Sequence, residues 1–532
     1  MENNFERFGI MIDCSRNAVM NVKSVKKWID TISDLGYNTL MLYTEDTYKI
    51  ENQPYFGYLR GAYTAAELKE IDSYASKKNV ELIPCIQTLA HLNAIFQWGQ
   101  YWDIRDCNDI MLAESEKTYA LIEDMFTTLE KNFTSRTVNI GMDEAHMLGR
   151  GRYKDLHGNV DASQILLKHL NVVSDIAKKH GFKLIMWGDM FFRLMSGGNY
   201  YVDNITFSDN VKKLIPDNVD LVYWDYYSQD KQHYINQINA HQSVKENIWF
   251  AGGLWTWTGF APHNGYSEIA TKAALEACTE KKVKNVFLTM WGDNGGECSR
   301  FSLLPSLYYA SEIAKGNNSV DDIKKGFKAK YGISFDDFEL LDLKGTPNAV
   351  TDRIINTDKY MLYNDLFLGI FDKDIKAEDG KTFKECADKL RRLEDNKDYG
   401  FIFGNLASLC DVLSIKWDLG IRTRKAYRSG NKEEIKALFA DYDALLKALE
   451  KFYRAFRNQW MTENKPNGFE VQDIRIGGLM QRVRNCKDRL EAFVNNEIAE
   501  IPELEEEILT SNANGVYSCY NDWGNTVSAS VI

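Results

Sequence analysis

Short runs of apolar residues recur along the first three hundred positions, separated by stretches in which apolar residues return every third or fourth place. The runs are FGIMID (8–13), TLMLYTE (39–45), ELIPCIQ (81–87), TVNIGMD (137–143), KLIMWGD (183–189), VDLVYWDY (219–226), NIWFAGGLW (247–255) and NVFLTMW (285–291). Segments such as VKKWIDTISDLG, AAELKEIDSYASKK, KTYALIEDMFTTLEKN and ASQILLKHLNVVSDIAKKHG have the period of a helix with one apolar stripe. Runs that are nearly all apolar, rather than alternating, suit strands covered on both faces, and strand–helix alternation calls for a parallel sheet. Eight such units within about 310 residues fit an α/β fold of the (β/α)8 TIM-barrel type better than a doubly wound sheet.

Past Leu303 the pattern changes. YMLYNDLFLGIF, TFKECADKLRRLEDN, the run from Asn405 to Gly430, the run from Lys432 to Trp460 and the run from Ile476 to Glu500 all read as helices, and no Val/Ile-rich run follows. The expected organisation is a catalytic barrel over 1–317 and an α-helical C-terminal domain over 318–532, with GNNSVDDI as the boundary.

Charge and cysteine content narrow the function. The net charge of −12, with no basic block, argues against nucleic acid or an anionic membrane as partner. No apolar run reaches the roughly 20 residues needed to span a bilayer, and the N-terminal residues lack the basic and apolar pattern of a signal peptide. Nine cysteines, an odd number without a CxxC pair or metal-ligand spacing, are read as reduced thiols in a cytoplasm, and neither a metal nor an organic cofactor is expected.

In a barrel of this kind the chemistry sits where the strands end. These runs end in Asp13 with Arg16, in Glu45 and Asp46, in Gln87 with His91 beyond, and in the adjacent pair Asp143 and Glu144. Trp187 and Asp189, then Trp224, Asp225 and Tyr226, then Trp255 and Trp257, then Trp291 and Asp293 follow. Tryptophan faces stack on the C–H surface of a sugar ring while carboxylates and arginine bind hydroxyls, so the composition reads as a saccharide pocket. Two neighbouring carboxylates repel, and burial pushes at least one toward its neutral form. Side by side they carry a cost without structural benefit, which points to function.

GMDEAH at the fourth run, Asp13 with Arg16 at the first, QTLAH ending in His91 after the third, and tryptophans closing the fifth, sixth and eighth resemble glycoside hydrolase family 20, the β-N-acetylhexosaminidases. The similarity covers roughly residues 7–312 and is strongest to bacterial members that begin at the barrel and carry a helical C-terminal domain. The resemblance implies exo-acting, retaining removal of terminal non-reducing β-linked GlcNAc or GalNAc from an oligosaccharide or glycoconjugate. In that mechanism the substrate's 2-acetamido oxygen is the nucleophile and an oxazolinium-type ion the intermediate. By the same match Glu144 is the general acid and base, and Asp143 accepts the acetamido N–H. Arg16 binds O3 and O4, Asp293 lies near O4 and O6, and Trp187, Trp224 and Trp291 form the aromatic walls, with His91 also in the substrate site. Many members have a tyrosine after the seventh strand that binds the acetamido oxygen; this chain has GGLWTWTGF there, leaving Tyr226, Tyr227 or Trp255 for that part. Two alternatives stay open: a retaining glycosidase on the same fold with Asp189 or Asp225 as nucleophile, and a non-catalytic sugar-binding protein. A homodimer is expected, with the helical domain at or near the contact.

Overall fold

The computed structural model describes residues 4–203, 205, 207–511 and 523–531. The chain divides into two compact units. The first comprises Met1–Leu254, Glu268–Met290 and Leu307–Ser319; the second comprises Trp255–Ser267, Trp291–Ser306 and Val320–Ile532.

The first unit is built on β1 (Arg7–Asp13), β2 (Thr39–Tyr43), β3 (Glu81–Cys85), β4 (Thr137–Asn139), β5 (Lys183–Trp187), β6 (Val219–Trp224), β7 (Ile248–Gly253) and β8 (Asn285–Met290). They close into a barrel in which every neighbouring pair is parallel, β8 returning to β1 with Phe8 opposite Val286. Nearly every strand residue is buried, which accounts for the continuous apolar runs. Gly9 lets β1 approach β2, because a side chain there would strike the carbonyl and Cβ of Thr39.

Helices follow the strands as the periodicity predicts. In α1 (Val22–Leu35) the Asn21 side chain accepts the Ser24 N–H at 2.8 Å, and Gly36 ends the helix at φ 88°. Its buried face is Val25, Trp28, Ile29, Ile32 and Leu35, each worth about 1.5–3 kcal/mol. The helix α2 (Ala65–Lys77) starts with a capping box between Thr64 and Glu67. Helices α3 (Glu116–Asn132) and α4 (Ala162–Lys179) complete the pattern after β3 and β4.

The second unit is helical, and its helices include α5 (Thr357–Tyr363), α6 (Gly400–Lys416), α7 (Leu419–Ser429), α8 (Lys432–Glu463) and α9 (Phe469–Val494). Among the described residues no strand follows Met290. Two expectations are corrected here. YMLYNDLFLGIF is helical only as far as Tyr363. The Asp365 carboxylate takes the N–H groups of Phe367 and Leu368, both at 2.9 Å, and Gly369 turns at φ 58°, so side-chain hydrogen bonds replace the helical ladder. The run 405–430 is two helices, α6 and α7, separated at Trp417 and Asp418.

Candidate active site

Strand β4 is short because the chain leaves it immediately. Gly141, Met142 and Glu144 adopt φ of 73°, 68° and 50°, three left-handed residues within four positions. For Met142 and Glu144 this is strained backbone, which persists only where the surroundings enforce it. Gln87 supplies much of the enforcement: its amide oxygen accepts the Met142 N–H at 3.2 Å, and a Cβ on Gly141 would overlap that oxygen. The consequence is functional geometry. On a regular strand Asp143 and Glu144 would point to opposite faces; here both converge on one imidazole, with His91 Nε2 3.2 Å from Asp143 Oδ2 and 3.6 Å from Glu144 Oε2.

The two acids sit in different environments. Asp143 is buried, and Gln87 Nε2 donates to its Oδ1 at 2.7 Å. Burial by itself would raise its pKa, but the charge of His91 3.2 Å away and the hydrogen bond from Gln87 outweigh it and hold the carboxyl below its ordinary value. His91 responds in the complementary direction: burial pushes it down, yet the Asp143 carboxylate lifts it to about 9. At neutral pH the pair is therefore imidazolium and carboxylate. The Glu144 side chain, 46% exposed, is open to solvent. One acid is locked and ionised while its neighbour is accessible to a reacting group.

A third carboxylate lies beneath them. Asp189, the first residue after the β5 turn, is wholly buried; its Oδ2 accepts the Glu144 backbone N–H at 3.0 Å and its Oδ1 accepts Trp224 Nε1 at 3.3 Å. Burial, then the nearby Asp143 charge, raise its pKa to about 7. Asp225 is committed elsewhere, accepting Tyr223 Oη at 2.9 Å, His233 Nε2 at 2.7 Å and the Tyr227 N–H at 3.0 Å. Both acids that could have served as a protein nucleophile are thus taken up in holding protein groups.

At the ends of β1 and β2, Arg16 spans Asp13 Oδ2 and Glu45 Oε1, each at 3.5 Å, with its guanidinium 5.0 Å from the centre of the Tyr43 ring. Burial raises the Glu45 pKa, against the pull of Arg16 and His91. Tyr43 links this corner to the acid pair, donating to Glu45 Oε1 at 3.1 Å and accepting from Gln87 Nε2 at 2.8 Å. Trp187 is buried with its ring 5.8 Å from that of Phe287. Trp224 stacks on Tyr226 at 5.2 Å, and Tyr227 is exposed. The structure thus joins Arg16, His91, Asp143 and Glu144 through Tyr43, Glu45 and Gln87, and ties Trp224 and Tyr226 to the same acids through Asp189. Tyr43 and the anchoring parts of Gln87 and Asp189 were not read from the sequence. The available signal was a polar residue closing an apolar run.

Trp255, Trp291 and Asp293 belong to the second unit. Trp255 stacks on Trp257 with ring centres 3.9 Å apart, and its backbone N–H donates to Ser267 Oγ at 2.9 Å. Trp291 directly follows the last residue of β8 and its carbonyl accepts Thr256 Oγ at 2.8 Å; Asp293 is two positions on.

Comparison with known proteins adds three findings. The family model described as glycosyl hydrolase family 20, catalytic domain, matches residues 5–292, more than half of the chain, and that of the glycoside hydrolase 20C C-terminal domain matches 336–518. Hexosaminidase D of Homo sapiens is 25% identical over 202 residues, 36% of this chain and 39% of that protein; Hexosaminidase D of Bos taurus is 26% identical over 242 residues, 43% of this chain and 63% of that protein. The chain thus spans less than two thirds of the length of these curated relatives. Among solved structures, Flavobacterium johnsoniae chitobiase superposes with a TM-score of 0.47 and 16% identity, over 94% of this chain and 74% of that one.

Proposed function

The chain belongs to glycosyl hydrolase family 20, and from that membership we propose that it is an exo-acting, retaining β-N-acetylhexosaminidase releasing terminal non-reducing β-linked GlcNAc or GalNAc from oligosaccharides or glycoconjugates. The observation that carries this reading is the unequal pair: Asp143 held ionised by His91 and Gln87, next to an accessible Glu144.

In the first step the substrate's acetamido carbonyl oxygen attacks the anomeric carbon, the glycosidic C–O bond breaks, and Glu144 delivers its proton to the departing oxygen. Positive charge spreads onto the acetamido nitrogen as the oxazolinium ring closes. Asp143 accepts that N–H and stabilises the charge, which requires it to be a carboxylate throughout. Water then attacks the anomeric carbon from the face the leaving group vacated, losing its proton to Glu144. The ring opens, and configuration is retained. Arg16 binds the sugar hydroxyls and Trp187, Trp224 and Trp291 form aromatic walls, with Asp293 near O4 and O6. Tyr226, stacked on Trp224, is our choice for the acetamido oxygen, with Trp255 as the other donor.

The same reading includes a homodimer and a cytoplasmic setting. The eight described cysteines are all free thiols, which supports a reducing compartment. Light scattering at micromolar concentration tests the dimer. The activity is tested with paired chromogenic β-glycosides of GlcNAc, GalNAc and glucose, together with proton NMR of the first-formed sugar. The expected result is cleavage of the acetamido sugars alone, with the β-anomer first; comparable cleavage of the glucoside would favour a protein nucleophile, and an α-anomer at early time would mean inversion by direct attack of water and refute the retaining mechanism.

A further inference from the structure

Within the second unit three charged side chains are buried together. Glu297 is 2% exposed, Lys359 2% and Arg475 10% at the side chain. Lys359 Nζ lies 2.6 Å from Glu297 Oε2, and Arg475 Nη1 2.8 Å from Glu297 Oε1. Desolvating three ions is expensive, and an apolar cluster of the same volume would hold helices together at least as well. Their placement therefore calls for another reason.

Arg475, on α9, does more than neutralise Glu297. Its Nη1 also donates to the Asn294 carbonyl at 2.8 Å, and its Nη2 to Asn294 Oδ1 at 2.6 Å, a two-pronged grip on one loop residue. From α5, Lys359 Nζ reaches the same carbonyl at 3.4 Å. Gln459 of α8 donates to the Glu297 carbonyl at 3.2 Å. The segment so held is a tight turn with Asn294, Gly295 and Gly296 at φ of 51°, 130° and 64°, closed by the Gly296 N–H on the Gly292 carbonyl at 2.7 Å. A side chain on Gly295 would meet Arg475 Nη1 at 2.8 Å, so the turn is packed against the clamp.

We propose that Glu297, Lys359 and Arg475 form a positioning clamp by which the C-terminal helices set the loop after β8, and through it Trp291 and Asp293, for recognition of the sugar's O4 and O6 edge. The inference rests on the reading of Trp291 and Asp293 as sugar-binding residues. It gives the helical half of the chain a part in substrate selection: a turn of consecutive left-handed residues has no preferred orientation of its own, and helices that grip its carbonyls supply one. Displacement of a binding group by about 1 Å is enough to cost up to a hundredfold.

The test compares Arg475→Lys, which keeps a cation for Glu297 but loses the paired grip on Asn294, with Asn294→Gly, which keeps the left-handed backbone and all three buried charges. Asp293→Asn serves as the reference. Each is assayed on the nitrophenyl β-glycosides of GlcNAc and GalNAc, which differ at C4. The clamp predicts KM raised about tenfold with kcat nearly kept, and a GlcNAc-to-GalNAc ratio of kcat/KM shifted in the same direction as in Asp293→Asn. General destabilisation lowers the active fraction and leaves that ratio alone. If Arg475→Lys fails to fold, Asn294→Gly decides. If Asp293→Asn moves the ratio while the clamp variants do not, the clamp is overturned. If Asp293→Asn changes neither KM nor ratio, the sugar-binding reading of the loop fails, and the clamp's assigned part with it.

Discussion

Asp189 Oδ2 accepts the backbone N–H of Glu144 at 3.0 Å while its other oxygen holds the Trp224 indole at 3.3 Å. A single buried carboxylate therefore fixes both the turn that aims the proposed proton donor and the indole of Trp224, a proposed aromatic wall. Asp189→Asn presents a donor where one of those N–H groups needs an acceptor. We expect turnover on substrates with poor leaving groups to fall by about 10- to 100-fold, within the range of general acid–base effects, and an activated nitrophenyl glycoside to be hurt less. Equal losses on both would mean that Asp189 supports the fold and not the acid.

Gly141 is the next point of constraint. Gly141→Ala places a side chain at φ 73° and against the fully buried amide of Gln87. The left-handed backbone costs about 1–2 kcal/mol, and overpacking adds a similar amount. Urea denaturation should give a loss of that size, and activity should fall further than stability because Gln87 also holds Asp143. Wild-type stability and activity in this variant would contradict the described turn.

The His91–Asp143 pair sets a pH signature. His91 rises from an ordinary 6.5 to about 9 in the folded protein, so the folded state binds the proton more tightly and the pair's contribution is fully present below pH 6.5. It is lost as pH rises through about 9. The Tm difference between wild type and His91→Asn should therefore be largest near pH 6 and shrink toward pH 10. A difference that grows with pH would show that His91 is neutral in the native state.

Much of this architecture is legible in the sequence for a physical reason. Barrel strands buried on both faces must be apolar throughout, so all eight announce themselves, and the residues closing them include Asp143 and Glu144. Strand lengths were less legible. TVNIGMD contains three strand residues, Thr137–Asn139, because the chain turns left-handed at Gly141 and Met142; the glycine hints at this and the methionine does not. The helix through 360–371 fails because Asp365 makes local hydrogen bonds that periodicity ignores. The bonds of Gln87 to Asp143 and of Arg475 to Asn294 join residues 56 and 181 positions apart. Such pairings leave no mark on local pattern, so the polar framework of the site is visible only in three dimensions.

In the proposed mechanism Asp143 serves the acetamido nucleophile and Glu144 the leaving group, and one experiment separates them. Glu144→Gln and Asp143→Asn are each assayed on a nitrophenyl β-GlcNAc glycoside and on a disaccharide with a poor sugar leaving group. Glu144→Gln should lose about two to four orders of magnitude on the disaccharide and far less on the nitrophenyl substrate, whose leaving group hardly needs a proton. Asp143→Asn should be severely impaired on both, because the nucleophile is the same. Equal losses for Glu144→Gln on the two substrates, or an Asp143→Asn enzyme that spares the nitrophenyl glycoside, would contradict it.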